Sequence, residues 1–547
     1  MLKENFSRYL TDSINKNWDY RALTDYQGET YHYHDVAGHI VRIHQFFHDA
    51  GIKPGDKIAM IGKNSARWGI LYITTVTYGA VIVPILPDFK PDDLQQIVDH
   101  SNAILLFAED AIYEKLDPEK MPKVTCVISI SSLSLLKSSD QILSVYKKND
   151  LSSITASFYK DGEKLRMAEI PGDHLAVLSY TSGTTGFTKG VMLPHNSLAA
   201  NIRFAHEHMP LNPGDRIVSF LPLAHTFGAA FEFLFPFTLG CDITILTKTP
   251  SPQVIIKAFQ EVKPSLILSV PLVIEKIYKK QVLPVISKPY MKILLAIPGI
   301  NNIILKKIRE KLTAVFGGNF RELVIGGAPF NAEAEEFFRK MKFPFTIGYG
   351  MTECGPLISY VGWKESRTGS AGKTVDTLEL KIDSPNPETT SGEIMVKGDN
   401  VMLGYYKNVK ATAEMLDDDG WLHTGDLGRL DSEGYLFIRG RIKSVILGSN
   451  GKNIYPEAIE SHFNNKYLVA ESLVVQRNDN LVALIYPDFE EMVKVAMMEK
   501  DLTALYDHHL KVVNHSLPGY MNVSRVEIYP KEFQKTPKRS IKRFIYS

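Results

Sequence analysis

The sequence predicts an α/β protein in two parts: a large N-terminal domain, residues 1–440, of parallel and mixed sheets covered by helices, and a smaller α+β domain, residues 441–547. Three observations carry this. Strand and helix patterns alternate through residues 1–110, as they do where a parallel sheet is covered by crossover helices. A chain of 547 residues has room for several domains. After Arg441 the composition shifts to short apolar strand candidates and helix candidates of a smaller unit.

The elements follow in order. Tyr31–Tyr33 reads as a short strand, and Asp35–Ala50 has helical apolar spacing through Val36, Ile40, Ile43 and Phe47. A turn at Gly51–Asp56 leads to the strand Lys57–Ile61. A helix from Asn64 to near Gly79 then precedes a buried strand at Val81–Pro84. Within residues 111–170 a strand is expected at Val124–Ile130, followed by a loop-rich connection to the glycine-rich loop, with Ser131–Ser139 rich in Ser and Leu. Further strands are expected at Leu175–Leu178, Arg216–Leu221, Ser265–Val270, Arg321–Ile325 and Ser391–Val396, and Val401–Tyr406 is strand and turn material. A helix is expected from Asn196 as N-cap, and another over Val273–Lys280. Residues 281–315 read as an insertion with small helices of its own. In the C-terminal unit, strands are expected at Ser472–Val475, Leu481–Tyr486 and Val526–Tyr529, and helices at Tyr455–His462 and Leu502–Asn514.

Composition excludes several function classes. An apolar fraction of 44% and a charged fraction of 22% are ordinary for a soluble globular protein. With 62 basic and 61 acidic side chains the net charge is +1, so no global field recruits nucleic acid, and no nucleic-acid partner is expected. Cys126, Cys241 and Cys354 lie far apart and form no C-x-x-C, which argues against a disulfide framework or zinc site and fits a reducing cytoplasm. Met1–Leu10 carries charges where a signal peptide needs an apolar core. Phe227–Leu246 is broken by Glu232, Pro236, Gly240 and Asp242, and reads as core or as the wall of a substrate pocket. Met291–Leu305 is short and interrupted by Pro298 and Gly299, so no membrane span is expected. Peripheral contact at the inner face of a membrane is compatible with the sequence.

The centre of the chain is Ser179–Gly190, S-Y-T-S-G-T-T-G-F-T-K-G. Gly183, Gly186 and Gly190 let backbone N–H groups converge, Thr181, Ser182, Thr184 and Thr185 add hydroxyls, and Lys189 adds charge. That combination suits phosphate. It is not the G-x-x-x-x-G-K-[ST] loop of nucleotide triphosphatases, because Lys189 is followed by Gly190. Gly348-Tyr349-Gly350-Met351-Thr352-Glu353 places an aromatic ring between glycines, able to lie flat on adenine. The next residues are a hydroxyl, Thr352, able to reach an α-phosphate, and a carboxylate, Glu353, of the kind that holds Mg²⁺ beside phosphates. Gly326-Gly327-Ala328-Pro329 ends a strand with room for a flat ring to approach. Trp421-Leu422-His423-Thr424-Gly425-Asp426, followed by Gly440-Arg441, supplies a carboxylate suited to a ribose diol and an assisting guanidinium.

In this order the motifs resemble the adenylate-forming enzymes, and the chain as a whole resembles an AMP-forming long-chain fatty acyl-CoA synthetase. That family usually has Pro where this chain has Thr188. The resemblance implies a ligase using ATP and Mg²⁺ to activate a medium- to long-chain fatty acid as acyl-AMP, then passing it to coenzyme A. It implies that His225, in Leu221-Pro222-Leu223-Ala224-His225, lines the carboxylate's entrance, and that Gly327, Ala328 and Pro329 border the adenine and acyl pockets. It makes the C-terminal domain a mobile lid hinged at Lys443, with Gly451 in a loop that meets the pantetheine arm of CoA. Residues 531–547 carry six basic groups and one acidic group, and Lys535–Arg543 resembles the family's T-P-x-G-K-I-x-R ending. Here the family's catalytic lysine falls on Ser540; Lys538 is assigned in its place, with Lys542 as the alternative. An acyl carrier protein as acceptor, an aryl-acid substrate and a non-catalytic binding homologue are the competing readings.

Overall fold

The computed structural model describes residues 5–149, 151, 164–182, 188–248, 251–448, 453–478, 480–495, 498–535 and 541–546. Its largest sheet has eight strands. Five are parallel neighbours in the order Leu175–Ser182, Val81–Ile85, Lys57–Ile61, Ala103–Ala108, Cys126–Ser129. These are near-continuous apolar runs, as strands covered on both faces must be. Antiparallel strands close the two edges: Thr188–Pro194 and then Gly404–Tyr405 on one side, Leu135–Ser138 on the other. The helices Tyr33–Asp49, Ala66–Tyr78 and Pro91–Ser101 belong to the alternating unit.

A four-stranded sheet joins Arg216–Ser219, Asp242–Ile245, Arg21–Asp25 and Thr30–His32, and a parallel three-stranded sheet joins Leu266–Ser269, Glu322–Ile325 and Phe345–Ile347. One hydrophobic core runs beneath all of these, from Phe6 to Leu436. An antiparallel sheet of Leu378–Asp383, Gly392–Gly398, Leu422–Leu430 and Leu436–Arg441 completes the N-terminal part.

The C-terminal sheet shows why alternation matters. In Val469–Arg477 and Asn480–Pro487, Val474, Ala483 and Ile485 point to one face, and Leu473, Val475, Val482 and Leu484 to the other. The first face is covered by the helices Pro456–Asn464 and Glu499–Ser516, through Ile459, Phe463, Leu502 and Tyr506. The second is covered by Phe533 and Tyr546. Arg543 pairs with Glu460, and the backbone N–H of Gln534 donates to the Tyr546 hydroxyl at 2.6 Å. The basic segment is therefore a structural layer over residues 531–535 and 541–546.

The structure departs from the sequence-based expectations in two places. Residues 135–149 are ordered rather than loop-rich: Leu135–Ser138 pairs antiparallel with Cys126–Ser129, and Asp140–Asn149 is a helix that buries Ile142. The central helix runs His195–His208, starting one residue before the expected cap, with Pro194 in the cap position. No helix among the described residues is long and apolar enough to cross a membrane.

Candidate functional site

The site begins at the edge of the large sheet. Leu175–Ser182 pairs antiparallel with Thr188–Pro194, placing Thr181 opposite Lys189 and Ser182 opposite Thr188. Gly183, Thr184, Thr185 and Gly186 lie outside the described residues, as does the side chain of Ser182. The two-residue strand Gly404–Tyr405 continues the sheet, with Tyr405 opposite Val191. This register sets Nζ of Lys189 over the Tyr405 ring, 4.7 Å from its centroid. The Tyr405 hydroxyl donates to Oε1 of Glu353 at 2.7 Å. Glu353 is buried, so its carboxylate and Lys189 are connected through one aromatic side chain.

Backbone clips hold this arrangement. The N–H of Met402 donates to the Glu353 carbonyl at 2.8 Å, and that of Tyr406 to the Gly190 carbonyl at 2.8 Å. Asn201, on the helix that follows the Lys189 strand, donates from Nδ2 to the Cys354 carbonyl at 3.2 Å. Its Oδ1 accepts from the Leu357 N–H at 2.9 Å. One buried amide thus fixes both sides of the turn that presents Thr352 and Glu353. Thr352 is itself buried. Gly350 has no room for a side chain: a Cβ there would sit 2.1 Å from the Pro356 carbonyl oxygen.

A second cluster lies next to the first. The Tyr349 hydroxyl donates to Oδ2 of Asp426 at 2.7 Å, and Nε of Arg441 donates to Oδ1 at 3.0 Å. Asp426 and Arg441 are cross-strand partners, so sheet register alone brings them together. Burial pushes the Asp426 carboxyl above the usual carboxylate range, against the opposing pull of Arg441 and Tyr349. Asp426 raises the Arg441 guanidinium in return. The charges of Glu353 and Asp426 act on one another, which makes the two clusters one site. The turn before Asp426 is held by Glu393, whose Oε1 accepts from the Gly425 N–H at 2.9 Å.

His225 is half-buried on the turn leading into the π-helical segment Gly228–Leu234, and its carbonyl accepts from the Ala229 N–H at 2.9 Å. Beneath this turn is a small apolar cavity whose walls include Tyr72, Val177, Leu198, Leu223, Ala224 and Ala230. The stretch expected as core or pocket wall supplies part of that lining. Glu232, in the same stretch, is fully buried. Its Oε2 accepts from the N–H groups of Phe220 at 2.9 Å and Leu221 at 2.8 Å, and from the Ser219 hydroxyl at 3.2 Å. It therefore caps the strand that leads to His225. Gly327, Ala328 and Pro329 are exposed at the end of Glu322–Ile325, with Gly327 at φ +88°, and Gly326 approaches the ring of Phe227.

Lys443 is exposed in a short 3₁₀ turn, Ile442–Ser444, directly after Arg441. Gly451, Lys538 and Ser540 lie outside the described residues. Lys542 is half-buried, with its N–H donating to the Gln534 carbonyl at 2.9 Å. Sequence reasoning did not find Tyr405 or Asn201, and it noted Glu232 only as a break in an apolar run. An alternating pattern cannot flag a two-residue strand, and the partners of Asn201 lie far along the chain.

The fold is that of the adenylate-forming ligases. The ATP-bound structure of MatB from Rhodopseudomonas palustris superposes with a TM-score of 0.77, at 22% identity, over 99% of this chain and 97% of that one. The chain belongs to the AMP-binding enzyme family, whose model matches residues 10–406. Among its relatives, the long-chain-fatty-acid–CoA ligase FadD15 of Mycobacterium bovis is 28% identical over 541 residues, spanning 90% of this chain and 86% of the relative. The long-chain-fatty-acid–CoA ligase 1 of Saccharomyces cerevisiae is 28% identical over 561 residues, spanning 91% and 78%.

Proposed function

We propose that this protein is an AMP-forming ligase that joins a medium- to long-chain fatty acid to coenzyme A. The observation that carries the reading is the linkage of Lys189 to Glu353 through Tyr405, beside the Tyr349–Asp426–Arg441 group. Cation, carboxylate, aromatic ring and diol acceptor are what an adenine nucleotide asks for at its phosphates, metal, base and ribose. The names of the relatives, long-chain-fatty-acid–CoA ligases, support a fatty acid as the partner.

In the first half-reaction a carboxylate oxygen attacks the α-phosphorus of ATP; a P–O bond forms to the acyl oxygen and pyrophosphate leaves. Lys189, Thr181, Ser182, Gly183, Thr184, Thr185 and Gly186 would cradle the phosphates, and the Thr352 hydroxyl would meet the α-phosphate. Tyr349, Gly350 and Met351, with Gly327, Ala328 and Pro329, would bound the adenine. Asp426 would accept from the ribose hydroxyls, with Arg441 steadying it. Glu353 belongs to no cluster of three or more metal-ligating side chains among the described residues. A Mg²⁺ ion at Glu353 would accordingly take most of its ligands from substrate oxygens and water, and would supply neutralisation of phosphate charge. His225 would orient the carboxylate of the acid at its entrance to the site. Lys538, or Lys542 in its stead, would add positive charge from the lid.

In the second half-reaction the CoA thiol attacks the acyl carbon and AMP leaves. Residues 441–547 would act as the lid, turning at Lys443 and presenting the loop of Gly451 to CoA, and closure would keep water from the mixed anhydride.

Pyrophosphate release with Mg·ATP and fatty acids from short to long, with CoA, with an acyl carrier protein or with neither, tests this. The expected result is release that depends on chain length, with acyl-CoA accumulating. Lys538→Ala should suppress release more than Lys542→Ala. Absence of release with every acid, while ATP still binds, would overturn the reading in favour of a binding protein, and transfer only to the carrier protein would replace CoA as acceptor.

A further inference from the structure

The connection between Leu266–Ser269 and Glu322–Ile325 is far longer than a single crossover helix. It contains two short helices, Pro289–Ala296 and Ile300–Val315, packed on one another as a hairpin. Pro289–Ala296 buries none of its side chains, although Tyr290, Met291, Ile293, Leu294 and Leu295 are apolar. Ile300–Val315 buries only Leu312. The hairpin leaves Ile293 65%, Ile303 59% and Tyr290 55% exposed, and Ile297 and Ile300, between them in sequence, are exposed as well. Scattered surface isoleucines are ordinary, but five large apolar side chains exposed within residues 290–303 point to an interaction surface.

The charge around that tip is one-sided. Residues 271–316 hold nine lysines and arginines against two acids, Glu275 and Glu310. The whole chain, with 62 basic and 61 acidic side chains, is close to neutral, so the rest of the molecule is net acidic and the positive charge is concentrated here. Lys288, Lys292, Lys306, Lys307 and Lys311 are all exposed. Apolar side chains at a tip, rimmed by lysines with long apolar stems, fit the boundary between acyl chains and anionic headgroups. Neither helix is long enough to cross a bilayer, so the fit is to its surface.

We propose that the hairpin 289–315 docks this protein on a membrane containing anionic phospholipid, with Tyr290, Ile293 and Ile303 entering the interface and the surrounding lysines meeting the headgroups. An acidic protein would match the lysines but would not use so many bare isoleucines. Docking does not depend on the ligase reaction and can be measured without it.

The test is co-sedimentation of the full chain with vesicles of phosphatidylcholine alone and of phosphatidylcholine mixed with phosphatidylglycerol. Binding is expected only to the mixed vesicles, falling as salt is raised. The double variant Ile293→Asp/Ile303→Asp and the triple variant Lys288→Glu/Lys292→Glu/Lys306→Glu should each weaken it more than tenfold, with unchanged thermal unfolding because these side chains are exposed. Tyr290→Trp should give a blue-shifted emission when mixed vesicles are added. No binding to mixed vesicles, binding indifferent to both sets of substitutions, or binding without a shift at residue 290 would overturn the proposal. Retention of an acidic carrier protein by the lysines, with no vesicle binding, would also overturn it.

Discussion

The Tyr405 hydroxyl donates to Oε1 of Glu353 at 2.7 Å, while Lys189 stands over the same ring at 4.7 Å. A single aromatic residue therefore sets the separation of the two charges on which the proposed site depends. Tyr405→Phe keeps the ring and removes the donor. Losing a buried hydrogen bond costs about 1–3 kcal/mol, so kcat/KM for Mg·ATP in pyrophosphate release should fall roughly 5- to 150-fold. Tyr405→Leu, which also removes the ring, should fall further. An unchanged kcat/KM in Tyr405→Phe would sink the idea that Tyr405 positions Glu353.

Asp426 is buried between Tyr349 and Arg441. Asp426→Asn keeps the shape and an acceptor for Tyr349 but removes the charge opposite Arg441. Hydrogen bonds to a charged group are worth about 1.5–3 kcal/mol, so ATP affinity by titration calorimetry should drop by roughly 10- to 150-fold. Nucleotide binding equal to that of the parent would rule out the ribose assignment.

Burial pushes Glu232 up to about 8 from an ordinary value of 4.5. The folded state therefore keeps a proton there that the unfolded chain releases. Its contribution to stability is full below pH 4.5 and is lost as pH rises towards 8, at a slope of about 1.4 kcal/mol per pH unit. Glu232→Gln retains an acceptor for the N–H groups of Phe220 and Leu221 and cannot ionise. Its unfolding midpoint should decline less than the parent's between those two pH values. Parallel declines in denaturant titrations would show that Glu232 is not the titrating group.

Glu460 is buried and is bound in two directions by Arg543, with its Oε1 also accepting from the Val474 N–H at 2.7 Å. Arg543→Ala leaves that carboxyl without its cation. Breaking one side of a buried pair costs about 3–5 kcal/mol, so the C-terminal unit should unfold earlier in urea, visible as hydrogen exchange confined to residues 453–546. Exchange that is unaltered there would mean that the pair contributes nothing to holding the segment down.

Much of this molecule could be read from its sequence. Val81–Ile85 and Lys57–Ile61 are continuous apolar runs bounded by turn residues, and such runs have few alternatives to a buried strand. Tyr349, Glu353 and Asp426 stand in compact motifs whose chemistry is local. Tyr405 was not legible because its partner lies 52 residues away and its strand has only two residues. Glu232 looked like an interruption because its partners are backbone N–H groups, which no side-chain pattern reveals. The hairpin after Cys126 was obscured by serines, which score as loop, although Ile142 and Tyr146 anchor the helix that follows.

The covering of the C-terminal sheet has a consequence for synthesis. Val482 and Leu484 emerge from the ribosome well before Phe533 and Tyr546, which later shield them. Until those aromatics arrive, the nascent sheet has one finished side and one sticky side, and a chain halted in between would be a substrate for chaperones rather than a partly working ligase.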